Sequence, residues 1–191
     1  MKKIVLIFLF LGNYLWSSAQ GNTSLERTGN WFAGIHMGAL AFFAEGYGDK
    51  SMGDITSFSM GFTGGNWTKS WMCLRVKGAY NSLNGYEEGN KDKNYRGFLL
   101  HTDVMFGMFD LLGGRPGNRF EVLPFVGLGG FFGGTSSYAL IGGVQLLYSL
   151  TEVIDLDMEW QAAVYNDKFV EKGGFGHDGA MTLSLGISYR F

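Results

Sequence analysis

Apolar and polar residues alternate with a period of two along most of this chain, in segments of about ten residues separated by Gly, Asn and Asp clusters. The clearest is Ile154 to Val164: Ile154, Leu156, Met158, Trp160, Ala162 and Val164 fall on one face, Asp155, Asp157, Glu159, Gln161 and Ala163 on the other. A second sets Leu183, Leu185, Ile187, Tyr189 and Phe191 against Thr182, Ser184, Gly186, Ser188 and Arg190. Phe58, Met60 and Phe62 alternate likewise with small polar residues, and Met72, Leu74 and Val76 with Cys73, Arg75 and Lys77. A period of two is that of a β-strand. The pattern predicts strands at Trp31–Ala44, Ile55–Gly64, Ser70–Tyr80, Arg96–Phe109, Phe120–Phe132, Tyr138–Leu150, Ile154–Val164 and Met181–Phe191, eight in all.

The connectors differ in length. Glu45–Asp54, Asn81–Tyr95 and Tyr165–Asp178 are long and charged, whereas Gly65–Lys69 and Thr151–Val153 are short. Long loops at one end and short turns at the other are the habit of membrane barrels. Gly133–Ser137 and Asp110–Arg119 depart from that alternation. A soluble sandwich or lipocalin-like barrel also alternates, and period alone does not say which face points inward. Two features favour lipid outside: charged residues in mid-strand, and Trp, Tyr and Phe at strand ends, where interfacial girdles lie. In lipid no sheet edge can stay unpaired, so the strands must close. The prediction is an all-β, eight-stranded antiparallel up-and-down transmembrane β-barrel.

Composition adds to this. There are 31 Gly and only 2 Pro, as suits a narrow lumen with small residues relieving crowding. No apolar run reaches the length of a helical span. Lys2 and Lys3, the apolar run Ile4–Leu11 and small residues at Ser17 and Ala19 read as a signal peptide over 1–19, followed by a leader over 20–30 and the barrel over 31–191. The formal charge of −2 gives no basic footprint for nucleic acid. Cys73 is the one cysteine, which excludes an internal disulfide.

The segment Met181–Phe191, closing Ile187-Ser188-Tyr189-Arg190-Phe191, resembles the C-terminal strand signature of bacterial outer-membrane proteins, an aromatic two residues before a terminal Phe. With the strand count, the chain after residue 19 resembles the small OmpA/OmpX-type barrels, and Ser18-Ala19-Gln20 is similar to signal ends of Bacteroidetes relatives. The resemblance implies a monomer in the Gram-negative outer membrane, surrounded by its lipids and lipopolysaccharide, with both termini periplasmic. It also implies Tyr189 and Phe191 as the assembly signal read by the barrel-assembly machinery. Without a peptidoglycan-binding domain after Phe191, function would fall to barrel and loops.

The polar faces predict a luminal cluster of His36, Ser59, Arg75, Lys77, Asp103, Glu121, Gln145, Asp155, Asp157, Glu159 and Arg190. Counting along neighbouring strands pairs Arg75 with Asp103, sets Arg190 near Asp155 and Asp157, and puts His36, Ser59, Gln145 and Glu159 in the layer of Arg75. Such a cluster can be a plug whose charges satisfy one another. Five acids against three bases also admit a narrow path for ions or small solutes. A lipid-modifying enzyme would need a nucleophile or base; no His-x-Ser motif follows His36, His101 or His177, although His101 and Asp103 share a face. The expectation is a non-enzymatic barrel with no cofactor, and no metal site, the histidines being scattered and Cys73 alone. Asp49 and Asp54 read as solvated loop charges. The mixed charges Glu87, Glu88, Lys91, Asp92 and Lys93, and Asp167, Lys168, Glu171 and Lys172, read as solvation or as docking for an unknown extracellular ligand.

Overall fold

A computed structural model describes residues 31–43, 56–87, 90–112, 119–133, 136–166 and 178–191. The signal segment 1–19, the leader 20–30 and the connector charges at 45–54 and 167–172 lie outside them. Eight strands follow one another: β1 (Trp31–Phe43), β2 (Thr56–Lys69), β3 (Met72–Glu87), β4 (Asn90–Phe106), β5 (Phe120–Gly133), β6 (Ser136–Ser149), β7 (Ile154–Tyr165) and β8 (Gly179–Arg190), with one helical turn, α1 (Met108–Leu111), between β4 and β5. Each pairs antiparallel with its neighbours, and β1 pairs with β8 to close an up-and-down barrel.

The register fixes the barrel's shape. Hydrogen-bonded partners followed from His36 through β2, β3, β4 and β5 arrive at Ser137 on β6. Followed the other way through β8 and β7, they arrive at Leu147. The stagger is therefore 147 − 137 = 10 residues. At about 3.3 Å per residue and about 4.8 Å between strands, that shear tilts the strands by about 40° and sets a backbone radius of about 8 Å, an interior that side chains can fill.

Three boundaries differ from the sequence pattern. β2 does not stop at Gly64: Gly65, Asn66 and Trp67 pair with Arg75, Leu74 and Cys73, so the expected turn is strand. The expected loop 81–95 is largely strand as well, because β3 and β4 stay paired up to Glu87 and Asn90. The pairing of β3 with β2 ends at Asn81 and that of β4 with β5 at Gly97; apart from the Ser57 hydroxyl, which donates to the Ser82 carbonyl, the hairpin beyond them rises past its neighbours' ladders. β4 ends at Phe106, and α1 takes up the start of the connector assigned to 110–119.

Every strand turns apolar side chains outward. Ile35, Met37, Phe62, Val76, Leu100, Leu128, Leu140, Met158, Leu183 and Leu185 are all exposed in mid-barrel. Aromatic residues gather toward both rims: Trp31, Phe120, Tyr148, Tyr189 and Phe191 near the rim carrying Trp31 (the near rim), and Phe43, Phe58, Tyr80, Phe98, Phe132 and Tyr138 toward the opposite one (the far rim). With the tilt above, the girdles stand about 25 Å apart, the height of an outer-membrane apolar band. An outward apolar belt of this extent has no place in water. The molecule is a membrane-spanning barrel of the outer-membrane type, and its lumen is where polar chemistry is kept.

Candidate functional site

At mid-height Arg75, 1 % exposed, reaches across the lumen. Its Nε donates to Asp103 Oδ1 at 3.0 Å and Oδ2 at 3.2 Å, and its Nη2 donates to Asp103 Oδ2 at 2.9 Å, a two-toothed grip on the directly opposite residue of β4. Nη1 donates to Gln145 Oε1 at 3.2 Å on β6 and also to Glu159 Oε2 on β7. Lys77 Nζ donates to the other oxygen of Glu159, at 2.5 Å. The guanidinium also lies 4.6 Å from the Phe125 ring centre, a cation–π contact. Five strands' worth of lumen is thereby tied to one side chain.

The histidines flank this network. His101 Nε2 stands 3.1 Å from Asp103 Oδ2, and His36 Nδ1 stands 3.2 Å from Asp157 Oδ1. Both are ion-pair distances, but the ring nitrogens are off line for a hydrogen bond. Glycines on neighbouring strands make the room. A Cβ at Gly186 would come within 2.7 Å of both Asp157 carboxylate oxygens, and one at Gly129 within 2.5 Å of the His101 Cβ.

Near the rim of Trp31 a second group forms. Arg190 Nε lies 2.9 Å from Asp155 Oδ2, its Nη2 donates to Asp155 Oδ1 at 3.0 Å and to the Thr151 carbonyl at 3.3 Å, and Ser149 Oγ donates to Asp155 Oδ1 at 2.6 Å. Glu121 Oε1 accepts from the Phe109 N–H at 2.8 Å and so holds α1.

The structure thus brings Arg75, Lys77, Asp103, Gln145 and Glu159 together. It divides the acids expected beside Arg190: Asp155 pairs with it, whereas Asp157 meets His36. Ser59 does not share the Arg75 layer; its Oγ donates to Asn81 Oδ1 at 2.6 Å, higher in the lumen. The displacement has a plain cause: ending β2 at Gly64 starts the count five residues early. Asn81 was missed because it was assigned to a loop. His101, left out of the expected cluster, belongs to it; its place two residues from Asp103 on the same face was the signal, and that face turns to the lumen, away from the lipid on which an acyl-chain enzyme would act.

Apolar layers bracket the polar middle. Toward the far rim Leu40, Phe42, Leu99, Phe131, Ile141 and Tyr165 fill the lumen, all fully buried or nearly so, with Phe131 and Tyr165 edge to face at 6.3 Å. Toward the near rim Trp67, Cys73, Met105, Leu123 and Leu147 do the same. Between the Arg75 network and the far layer sits a cavity of ≈ 10 Å³ lined by His36, Ser59, Lys77, Asn81, Gln161 and Ser184 among others, room for about one water. Among the described residues no group of His, Cys, Asp or Glu is arranged to hold a metal ion.

The sequence matches no protein-family model and no curated protein. Solved structures do resemble the fold. Neisserial surface protein A superposes with a TM-score of 0.58 at 13% identity, over 85% of this chain and 99% of that one. The N-terminal β-barrel domain of Pseudomonas aeruginosa OprF gives 0.52 at 15% identity over 84% and 97%, and Ail, the attachment invasion locus protein of Yersinia pestis, 0.51 at 15% over 86% and 99%. At such identities the likeness is one of architecture, that of the small outer-membrane barrels.

Proposed function

We propose that this protein is a non-conducting, monomeric outer-membrane barrel with a structural or surface-interaction role: it occupies the bilayer, presents the connectors of its far rim outside the cell, and keeps its lumen shut. The observation that carries the reading is Arg75, bonded at once to Asp103, Gln145 and Glu159 across the lumen, with apolar layers above and below it. A side chain tied in this way is no mobile gate. Removing one partner strands a buried charge at a cost of several kcal/mol, so the closed arrangement is self-enforcing. The β3–β4 hairpin, which rises past its neighbours' pairing, suits a display role. Ail and Neisserial surface protein A, similar in fold, carry attachment and surface location in their names, which accords with display without identifying a ligand.

On this reading lipid and lipopolysaccharide contact the outward belt, both ends of the described chain face the periplasm, and Tyr189 and Phe191, whose rings stack at 6.4 Å on the lipid side, are offered to the assembly machinery. The runner-up is a narrow ion or solute path. In its favour are the excess of acids over bases (Asp103, Glu121, Asp155, Asp157 and Glu159 against Arg75, Lys77 and Arg190) and the small polar cavity beside Lys77. Planar-bilayer recording with protein verified as folded by its shifted migration before boiling separates the two. Silence is the expected result; discrete, stable openings overturn the plugged barrel in favour of the channel.

A further inference from the structure

The near rim exposes more apolar surface than its aromatic girdle accounts for. On α1 and directly after it, Phe109 is 37 %, Leu111 47 % and Leu112 76 % exposed, although each belongs to a type that a polar connector would turn inward. A single helical turn is unstable alone, and this one is pegged at its start: the Gly107 N–H donates to the Trp71 carbonyl at 2.8 Å and the Phe109 N–H to Glu121 Oε1 at 2.8 Å. The Leu111 and Leu112 N–H groups then close on the carbonyls of Gly107 and Met108. The buried Glu121 carboxylate therefore holds three apolar side chains outward.

What they face follows from their neighbours. The Phe109 ring meets the Phe120 ring at 6.2 Å, and Phe120 lies in the lipid-facing band. Phe106, one residue before Gly107, stacks on Trp71 at 6.5 Å, with Lys69 Nζ 5.1 Å above that indole. Phe109 and Leu112, three residues apart on one turn, share a side. The apolar surface of α1 is thus continuous with the girdle, on the connector that joins β4 to β5 at the near rim. An amphipathic ammonium-over-indole pair at the same level is what a bilayer interface selects.

We propose that α1 and Leu112 form an interfacial anchor, with Phe109, Leu111 and Leu112 inserted at the boundary between headgroups and acyl chains of the leaflet around the near rim. The occupant is the lipid surface itself, since the patch continues a surface that already faces lipid. The anchor rests on the barrel's being embedded in a membrane, and the test separates the two.

Three single-cysteine proteins, Leu112→Cys, Leu185→Cys and Glu152→Cys, each on a Cys73→Ala background, are nitroxide-labelled and refolded into phosphatidylcholine vesicles that contain no other protein. Leu185 faces outward in mid-barrel and Glu152 is exposed in the β6–β7 turn, so they report lipid and water. Collision rates with oxygen and with a water-soluble nickel chelate are compared at each site. The anchor predicts an oxygen-to-nickel ratio at position 112 several-fold above that at 152 and approaching that at 185. A ratio at 112 equal to that at 152, with 185 reading as lipid, overturns the anchor alone and leaves the patch to a protein partner. A ratio at 185 equal to that at 152 overturns the membrane reading as well.

Discussion

The middle of the lumen and its far end are filled by opposite chemistry. At mid-height two cations, three carboxylates and two imidazoles interlock around Arg75, while a few residues higher Leu40, Phe42, Leu99, Phe131 and Tyr165 pack as the core of a soluble protein would. Both regions line the same tube, so neither polarity nor apolarity is what the interior requires. What it requires is filling. The polar layer fills by hydrogen bonds that demand fixed geometry, the apolar layer by volume that tolerates substitution of like size. The second also protects the first, because ion pairs gain strength where water is kept out.

The difference can be broken from either side. Arg75→Met should have the largest effect, about 3–5 kcal/mol in urea unfolding from vesicles, because Asp103 loses its buried cation and Glu159 is left with Lys77 alone. Replacing Lys77, Asp103 and Glu159 by apolar residues in the same protein should recover most of that loss; no recovery would mean that the Arg75 packing, not its charge, carries the stability. Phe131→Ala should cost about 3 kcal/mol through the hole it leaves in the far layer, without disturbing the Arg75–Asp103 grip; loss of that grip, read by the NMR shifts of the Arg75 guanidinium, would show that the two layers are not independent. Gly129→Ala should cost about 2 kcal/mol, since the new methyl group runs into the backbone of β4 beside His101. An unchanged unfolding midpoint there would mean that β4 and β5 can part without penalty.

How much of this could be read from the sequence depended on contrast between the two faces of each strand. β7 and β8 carry carboxylates, Ser and Thr on one face and Leu, Ile and Trp on the other, so the inward face was legible there, although the register, which parts Asp157 from Arg190, was not. In β1 the contrast fails: Leu40 and Phe42 point inward while Ala39, Ala41 and Phe43 point away, and no alternation of polarity marks the difference. The apolar filling of the far lumen was invisible for that reason. Gly64-Gly65-Asn66 has the composition of a turn, yet tertiary pairing with Arg75 and Leu74 makes it strand, and the early stop misplaced Ser59. The Arg75–Asp103 partnership was legible because it joins directly opposite residues of sequential strands. Gln145 and Glu159 were legible as members of the Arg75 layer, but that both bond Arg75 itself from across the lumen depends on the stagger of the whole ring, which no single pair of strands reveals.

That ring is joined by β1 and β8, whose nearest described residues, Phe43 and Gly179, are 179 − 43 = 136 positions apart in the chain. Such a closure has a kinetic consequence. Until β8 arrives, the first seven strands can form only an open ribbon with two bare edges and an oily back, a template for pairing with any other chain. Contacts this remote in sequence are slow to form, so the polypeptide must be held apart from its own copies, and then released beside lipid, before any part of it is stable.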